Sequence, residues 1–240
     1  EQQGLFPAER GSELHELMGQ ILFWLADLKE ALPHLRLAWE LPRRNHEQRL
    51  AALSNYLMYL HYADGISDEE LRDAHASYAA MIGSVPRFPH EKRRREKLRI
   101  GYLSPDVREH VVLSFSYALM TALDSARFEV TVYALNPEDA YTENVKRSVD
   151  HFRNLSRVST EEAAHTIFRD GIDILVDLAG HTAGGTLPVL AYRPAPVQMS
   201  GIGYFSSTGL KTVDYFLADP VLAAGRAQEG FVERLLVLPR

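Results

Sequence analysis

DGIDILVDLAGHTAGGTLPVLAYRPAPVQMSGIGYFSSTGLKTVDYFLAD, residues 170–219, carries the clearest mark of a fold class in this sequence. Ile172-Asp173-Ile174-Leu175-Val176-Asp177-Leu178 is an almost unbroken apolar run rich in β-branched residues, the pattern of a strand covered on both faces. Two glycine-rich turns follow, Gly180-His181-Thr182-Ala183-Gly184-Gly185 and Gly201-Ile202-Gly203-Tyr204-Phe205-Ser206-Ser207-Thr208-Gly209. Val197–Ser200 and Tyr215–Ala218 read as the next strands.

Working outward toward the amino terminus, Leu98-Arg99-Ile100-Gly101-Tyr102-Leu103 and Phe128-Glu129-Val130-Thr131-Val132-Tyr133 read as strands, and Leu235–Leu238 as a last one. A helix is expected over Val111–Leu123. Another opens at Ser159-Thr160-Glu161-Glu162 and stops at Gly171. Strands alternating with helices imply a parallel sheet with right-handed crossovers, a Rossmann-like α/β layer.

Residues up to about Phe88 read as helical instead. Leu14, Leu17, Ile21, Leu25 and Leu28 recur at helical spacing, which predicts a stripe facing a core. A second helix includes Leu35, Leu37, Ala38 and Trp39, with Pro33 restricting its first turn. A third covers His46 to His61. Ser67-Asp68-Glu69-Glu70 forms a capping-box pattern opening a fourth, through about Met81. Gly83, Pro86 and Pro89 then break regular structure, and the charged segment 91–97 marks the boundary between a helical region, 1–90, and an α/β lobe, 98–240.

Composition narrows the chemistry. With no cysteine, disulfides, thiolate zinc sites and a Cys nucleophile are excluded, and a cytoplasmic location is expected. A net charge of −6 argues against a general nucleic-acid binder, although Lys92-Arg93-Arg94-Arg95 with Lys97 is locally basic. No apolar run is long enough to cross a bilayer. Histidine and acid spacing nowhere suggests a metal site.

Three loops carry candidate chemistry. His110 closes Ser104-Pro105-Asp106-Val107-Arg108-Glu109-His110 after the first strand, beside a helix N-terminus. An imidazole there either acts on a hydroxyl or a developing charge, or simply caps the helix. Asp106 and Arg108 read as an ion pair within the loop. The 180–185 turn reads equally as a ligand loop or a tight turn. The 201–209 loop is suited to a sugar or phosphate, or else is a connector with Tyr204 and Phe205 packed inward. No G-x-G-x-x-G follows the first strand and no P-loop Lys is present, which argues against a dinucleotide or P-loop nucleotide binder.

With these residues in hand, the chain resembles the catalytic region of the O-linked N-acetylglucosamine transferases and SPINDLY-like proteins, glycosyltransferase family 41. The resemblance rests on LRIGYLSPDVREH, FEVTVYALNPED, DGIDILVDLAGHT, YRPAPVQ and GYFSSTGLKTVDYFLAD, with SNYLMYLHYADGISDEEL similar to the helical linker before that core. It covers roughly Ser54 to Arg240. The resemblance implies a two-lobed GT-B fold, preceded by a degenerate tetratricopeptide-like repeat over Leu17–Leu41. It implies transfer of N-acetylglucosamine from a UDP-sugar to Ser or Thr hydroxyls of an acceptor protein or peptide, with inversion and with no metal or other cofactor.

By the same resemblance, His110 is the active-site histidine. His181 (Tyr in relatives), Thr182, Ile202, Gly203, Tyr204 and Thr208 face sugar or acceptor. Val111-Val112 and Phe205-Ser206 depart from the family pattern at such positions. The sequence ends where the first lobe would end, so the UDP-sugar is expected to be held through a missing second lobe, the chain alone is expected to be inactive, and self-association through an uncovered face is expected. The rival reading is a non-catalytic protein-interaction module derived from that lobe.

Overall fold

The computed structural model describes residues 8–42, 45–91, 95–224 and 227–239. Lys92, Arg93 and Arg94 of the expected basic run lie outside the described residues.

Four helices lead the chain: α1 (Ala8–Trp24), α2 (Leu28–Glu40), α3 (His46–Leu60) and α4 (Asp68–Ile82). Ser67 and Glu70 cap α4 reciprocally, as their spacing predicts, and Gly83 ends it. The α1 stripe is a correction. Leu14, Leu17, Ile21 and Leu25 are 49–71% exposed and face away from the core. Contact with α2 runs along the opposite side of α1, where Gly19 sits so close that a Cβ would lie 2.5 Å from Leu35 Cγ. Small residues there let the two helices approach, and α2 answers with buried Ala31, Leu35 and Ala38. Pro33 does not sit in the first turn of α2 either; Asp27 caps the helix earlier and Pro33 lies inside it.

The α/β region follows as β1 (Leu98–Ser104), α5 (Val111–Thr121), β2 (Phe128–Ala134), α6 (Ala140–Ser148), β3 (His151–Asn154), α7 (Thr160–Asp170), β4 (Ile174–Asp177), α8 (Leu187–Ala191), β5 (Val197–Ser200), β6 (Tyr215–Ala218) and β7 (Arg234–Val237). These strands make one parallel sheet of seven in the order β3-β2-β1-β4-β5-β6-β7. Crossovers run outward in both directions from β1 and β4, which makes that pair the topological switch point. Of these strands, β3 is absent from the sequence reading. It is a four-residue edge strand, HFRN, with three exposed positions, so no apolar alternation marks it.

Successive strand residues feed two cores. Ile100, Tyr102, Val130, Val132 and Val176 pack with α5 and α6 residues Val112, Leu113, Met120 and Val145. On the other face, Leu103, Tyr133 and Leu175 join Ile167 of α7 and Leu190 of α8, together with Leu50, Leu53 and Leu57 of α3 and Tyr78 of α4. The helical region therefore shares a core with the sheet.

One glycine fixes how closely α4 approaches. Gly209 has φ +73°, and a Cβ on it would lie 2.0 Å from the His75 carbonyl oxygen. Gly209→Ala is expected to lower stability by about 2 kcal/mol through clash and left-handed backbone strain, read as a drop in the urea midpoint. An unchanged midpoint would refute the close approach.

Candidate active site

Three loops leave the carboxyl ends of β1, β4 and β5, which are neighbours in the sheet. They touch in sequence. A Cβ on Gly184 would meet Pro105 Cβ at 2.3 Å, and one on Gly203 would meet the Leu178 carbonyl oxygen at 2.1 Å. Loops at this edge of a parallel sheet are where ligands are taken.

His110 is the N-cap of α5: its Nδ1 accepts from the Val112 N–H at 3.3 Å. The capping role is therefore present, and the ring keeps about a third of its surface in solvent. Asp106 lies behind it, 5% exposed, with Oδ1 3.6 Å from Nδ1 and 3.2 Å from Arg108 Nη2. While Nδ1 accepts from the backbone, the neutral ring carries its proton on Nε2, so the ring offers a donor outward. The other tautomer, with Nδ1–H turned to Asp106, leaves Nε2 free to accept. His110 opens onto a groove of about 770 Å³ between α5 and α6, where Val111, Ser114, Tyr117, Tyr141 and Arg147 also lie. Of the two departures after the histidine, Val111 faces this groove while Val112 is buried in the core.

The other expected contacts divide. Ile202, at φ +73°, is exposed beside the half-buried Gly203, and Thr182 is half-buried with its hydroxyl donating to Ala179 O at 2.9 Å. His181, Tyr204 and Thr208, by contrast, are buried at 1%, 1% and 0% exposure, and their polar atoms are already engaged. Thr208 donates its hydroxyl to Glu233, and its backbone N–H donates to the same carboxylate at 2.8 Å. The side chains of these three form the support behind the loops. Phe205 turns outward over His61, whereas Tyr204 packs inward, so the expected aromatic pair splits.

Sequence reasoning missed the groups that hold this support together. His75 on α4 donates through Nδ1 to Leu71 O at 2.6 Å and accepts at Nε2 from the Tyr204 hydroxyl at 2.7 Å. The Tyr204 oxygen then accepts from His61 Nε2 at 3.1 Å. His181 donates through Nε2 to Thr208 O at 3.1 Å and accepts at Nδ1 from the Ser54 hydroxyl at 2.9 Å. His75 and His181 each have one donor and one acceptor role, consistent with the neutral form, and burial lowers the pKa values of both and of His61, His75 to about 4.

Two buried carboxylates brace the loops from below. Asp177 accepts from Ala179 N, Gly180 N, Thr186 Oγ1 and Ser200 Oγ at 2.6–3.0 Å, and Glu233 grips Ser207 and Thr208. Burial raises the pKa of both. The only sequence signals for these groups are a carboxylate closing an apolar strand, and His75 and Tyr78 sharing one face of α4.

Among the described residues, no cluster of three or more His, Asp or Glu side chains is arranged to hold a metal ion. Nor is any helix among them long and apolar enough to cross a membrane.

This architecture has known counterparts. The O-GlcNAc transferase mutant K341M of Thermobaculum terrenum superposes with a TM-score of 0.84 over 95% of this chain, at 29% identity, and the match takes up 44% of that chain. The barley protein named "Probable UDP-N-acetylglucosamine--peptide N-acetylglucosaminyltransferase SPINDLY" is 34% identical over 194 residues, or 77% of this chain. A UDP-N-acetylglucosamine–peptide N-acetylglucosaminyltransferase of Caenorhabditis elegans is 32% identical over 168 residues. The chain spans 21% and 15% of the lengths of these two relatives. The family model for glycosyl transferase family 41 matches residues 79–240, from within α4 through all seven strands. That match takes in all three carboxyl-edge loops, with His110 among them, and the chain belongs to glycosyltransferase family 41.

Proposed function

We propose that this chain forms the acceptor-side lobe of a protein O-glycosyltransferase, which passes N-acetylglucosamine from a UDP-sugar to a Ser or Thr hydroxyl. The hydroxyl oxygen attacks the anomeric carbon from the face opposite the leaving diphosphate, so configuration inverts, and the hydroxyl proton leaves to a base or to solvent. The observation that carries this reading is His110: a partly exposed imidazole at the sheet's carboxyl edge, on a helix N-terminus, opening onto a groove of about 770 Å³.

Exposed Ile202 with Gly203 and Thr182 complete the wall near the sugar. His181, Tyr204 and Thr208 keep that wall in place from behind. The nucleotide half of the donor is taken by a facing lobe contributed by further polypeptide, and the reading calls on no metal or other cofactor. It places the protein in the cytoplasm, in keeping with a chain that has no cysteine.

The test is a chimera in which this chain replaces the matching part of the T. terrenum O-GlcNAc transferase. Transfer from UDP-N-acetylglucosamine to an acceptor peptide, followed by mass spectrometry, is expected from the chimera and not from the 240-residue chain alone. Transfer by the chain alone would overturn the division of labour between lobes. A second reading, a non-catalytic interaction module, draws on the exposed apolar face of Leu14, Leu17, Ile21 and Leu25. A folded chimera that binds donor yet transfers nothing would favour it.

A further inference from the structure

The end of the sheet opposite His110 carries an opening that plays no part in the site above. A cavity of about 450 Å³ lies between the end of α4, the segment after it, the end of α8 and residues 209–212. Thr212 stands three residues before β6 and Ala191 closes α8 ahead of β5, so both belong to the amino-terminal edge of the sheet. His110 follows β1 at the carboxyl edge. The volume falls in the range of small-molecule sites.

Its lining has two characters. Ala76, Ala79 and Ala80 of α4 make a smooth apolar wall, continued by Leu210. Against it stand two exposed cations, Arg87 and Lys211, and among the described residues neither pairs with a carboxylate. Arg87 sits on a fixed stretch of chain. The next residue, Phe88, stacks on Phe168 at 4.4 Å between ring centroids, and its N–H donates to Tyr192 O at 3.2 Å.

The floor is a braced turn. Thr212 lines the cavity and is 5% exposed. Its carbonyl is held by Arg193 Nη1 at 2.9 Å and Gln198 Nε2 at 2.8 Å, and Arg193 is itself anchored on Asp214, so Lys211 beside it stands on fixed backbone.

We propose that this cavity binds a small organic anion, a carboxylate or phosphate monoester on a compact, ring-sized apolar body. The anionic head lies between Arg87 and Lys211, and the body rests on the alanine wall. Charge and apolar surface are both visible, and together they select an amphiphilic anion over a bare ion or a neutral ring. The inference stands apart from the transferase reading, because the site lies at the other end of the sheet and its test needs no turnover.

The test is a calorimetric titration of the 240-residue chain with four probes: phenyl phosphate, benzoate, phenol and inorganic phosphate. Saturable binding of phenyl phosphate or benzoate is expected, and the tighter of the two identifies the head group. Lys211→Ala and Arg87→Ala are each expected to weaken it about tenfold, the loss expected when one charge-assisted hydrogen bond is removed. Both cations are exposed, so their truncation leaves the fold intact, and an unchanged melting curve verifies this. Phenol binding as tightly as the anions, or inorganic phosphate matching phenyl phosphate, would overturn the proposal. So would no saturable binding of either organic anion, or binding indifferent to Lys211→Ala and Arg87→Ala.

Discussion

Alanine at His110 is expected to lower sugar transfer by the chimera about 10²–10⁴-fold, the range typical for loss of one general acid–base group. Part of any effect is structural, because His110 also caps α5, and loss of a cap costs roughly 0.5–2 kcal/mol. His110→Asn separates the two roles: asparagine is a good N-cap but has no imidazole. The asparagine variant is therefore expected to melt near the parent while transferring as poorly as the alanine variant. Asp106 then distinguishes the tautomers. If Nε2 accepts the hydroxyl proton, Nδ1–H must turn to the Asp106 carboxylate, and Asp106→Asn lowers kcat. If Nε2–H donates to developing charge while Nδ1 accepts from Val112 N–H, Asp106→Asn leaves kcat near that of the parent. Parent-like transfer by a folded His110→Asn chimera would remove His110 from the chemistry altogether.

The sheet was legible in the sequence because burial on both faces leaves an unambiguous mark. Ile172–Leu178 and Val197–Ser200 read as strands and fall on β4 and β5, trimmed by up to three residues. The caps of α4 and α7 were equally readable, since Ser67 with Glu70, and Ser159 with Gly171, satisfy helix ends locally. The α1 stripe was misread for an instructive reason: apolar spacing shows that a helix has an apolar face, not which neighbour covers it. Gly19 and Ser12, small and unremarkable in sequence, mark the packed side instead.

The candidate site was half legible. Its loops follow from strand ends and glycines, but what supports them comes from far away in the chain. Ser54 reaches His181, His75 reaches Tyr204, and Glu233 reaches Thr208, pairings across 127, 129 and 25 residues. No local pattern announces a partner at such separations. The motifs of the resemblance name His181, Tyr204 and Thr208, but motifs do not show that these side chains are buried in the body of the protein.

That buried support makes the fold sensitive to acid. The pKa of His75 is lowered to about 4 in the folded chain, chiefly by burial, and its ordinary value of 6.5 applies once the chain unfolds. Between those values the unfolded state binds more protons, so stability falls as pH falls from 6.5 toward 4. The contribution of His75 alone amounts to about 3 kcal/mol across that window, from 1.36 kcal/mol per pH unit. His181 and His61 shift in the same direction, and the His75 ring lies 5.3 Å from that of His181 and 5.4 Å from that of His61, so a first proton opposes a second.

Asp177 and Glu233 titrate in the opposite sense. Burial raises their pKa values, so acid relieves the cost of their buried charge and offsets part of the histidine effect. The variant His75→Gln isolates the histidine term, because its amide can still donate toward Leu71 O and accept from Tyr204 but cannot titrate. Urea unfolding at pH 7.5, 6, 5 and 4.5 is expected to show the parent losing stability steeply below pH 6.5. The glutamine variant should start lower and follow a flatter line. Parallel lines for the two proteins, or a parent equally stable at pH 7.5 and pH 5, would show that the cluster is not what ties the helical region to the loops in neutral form.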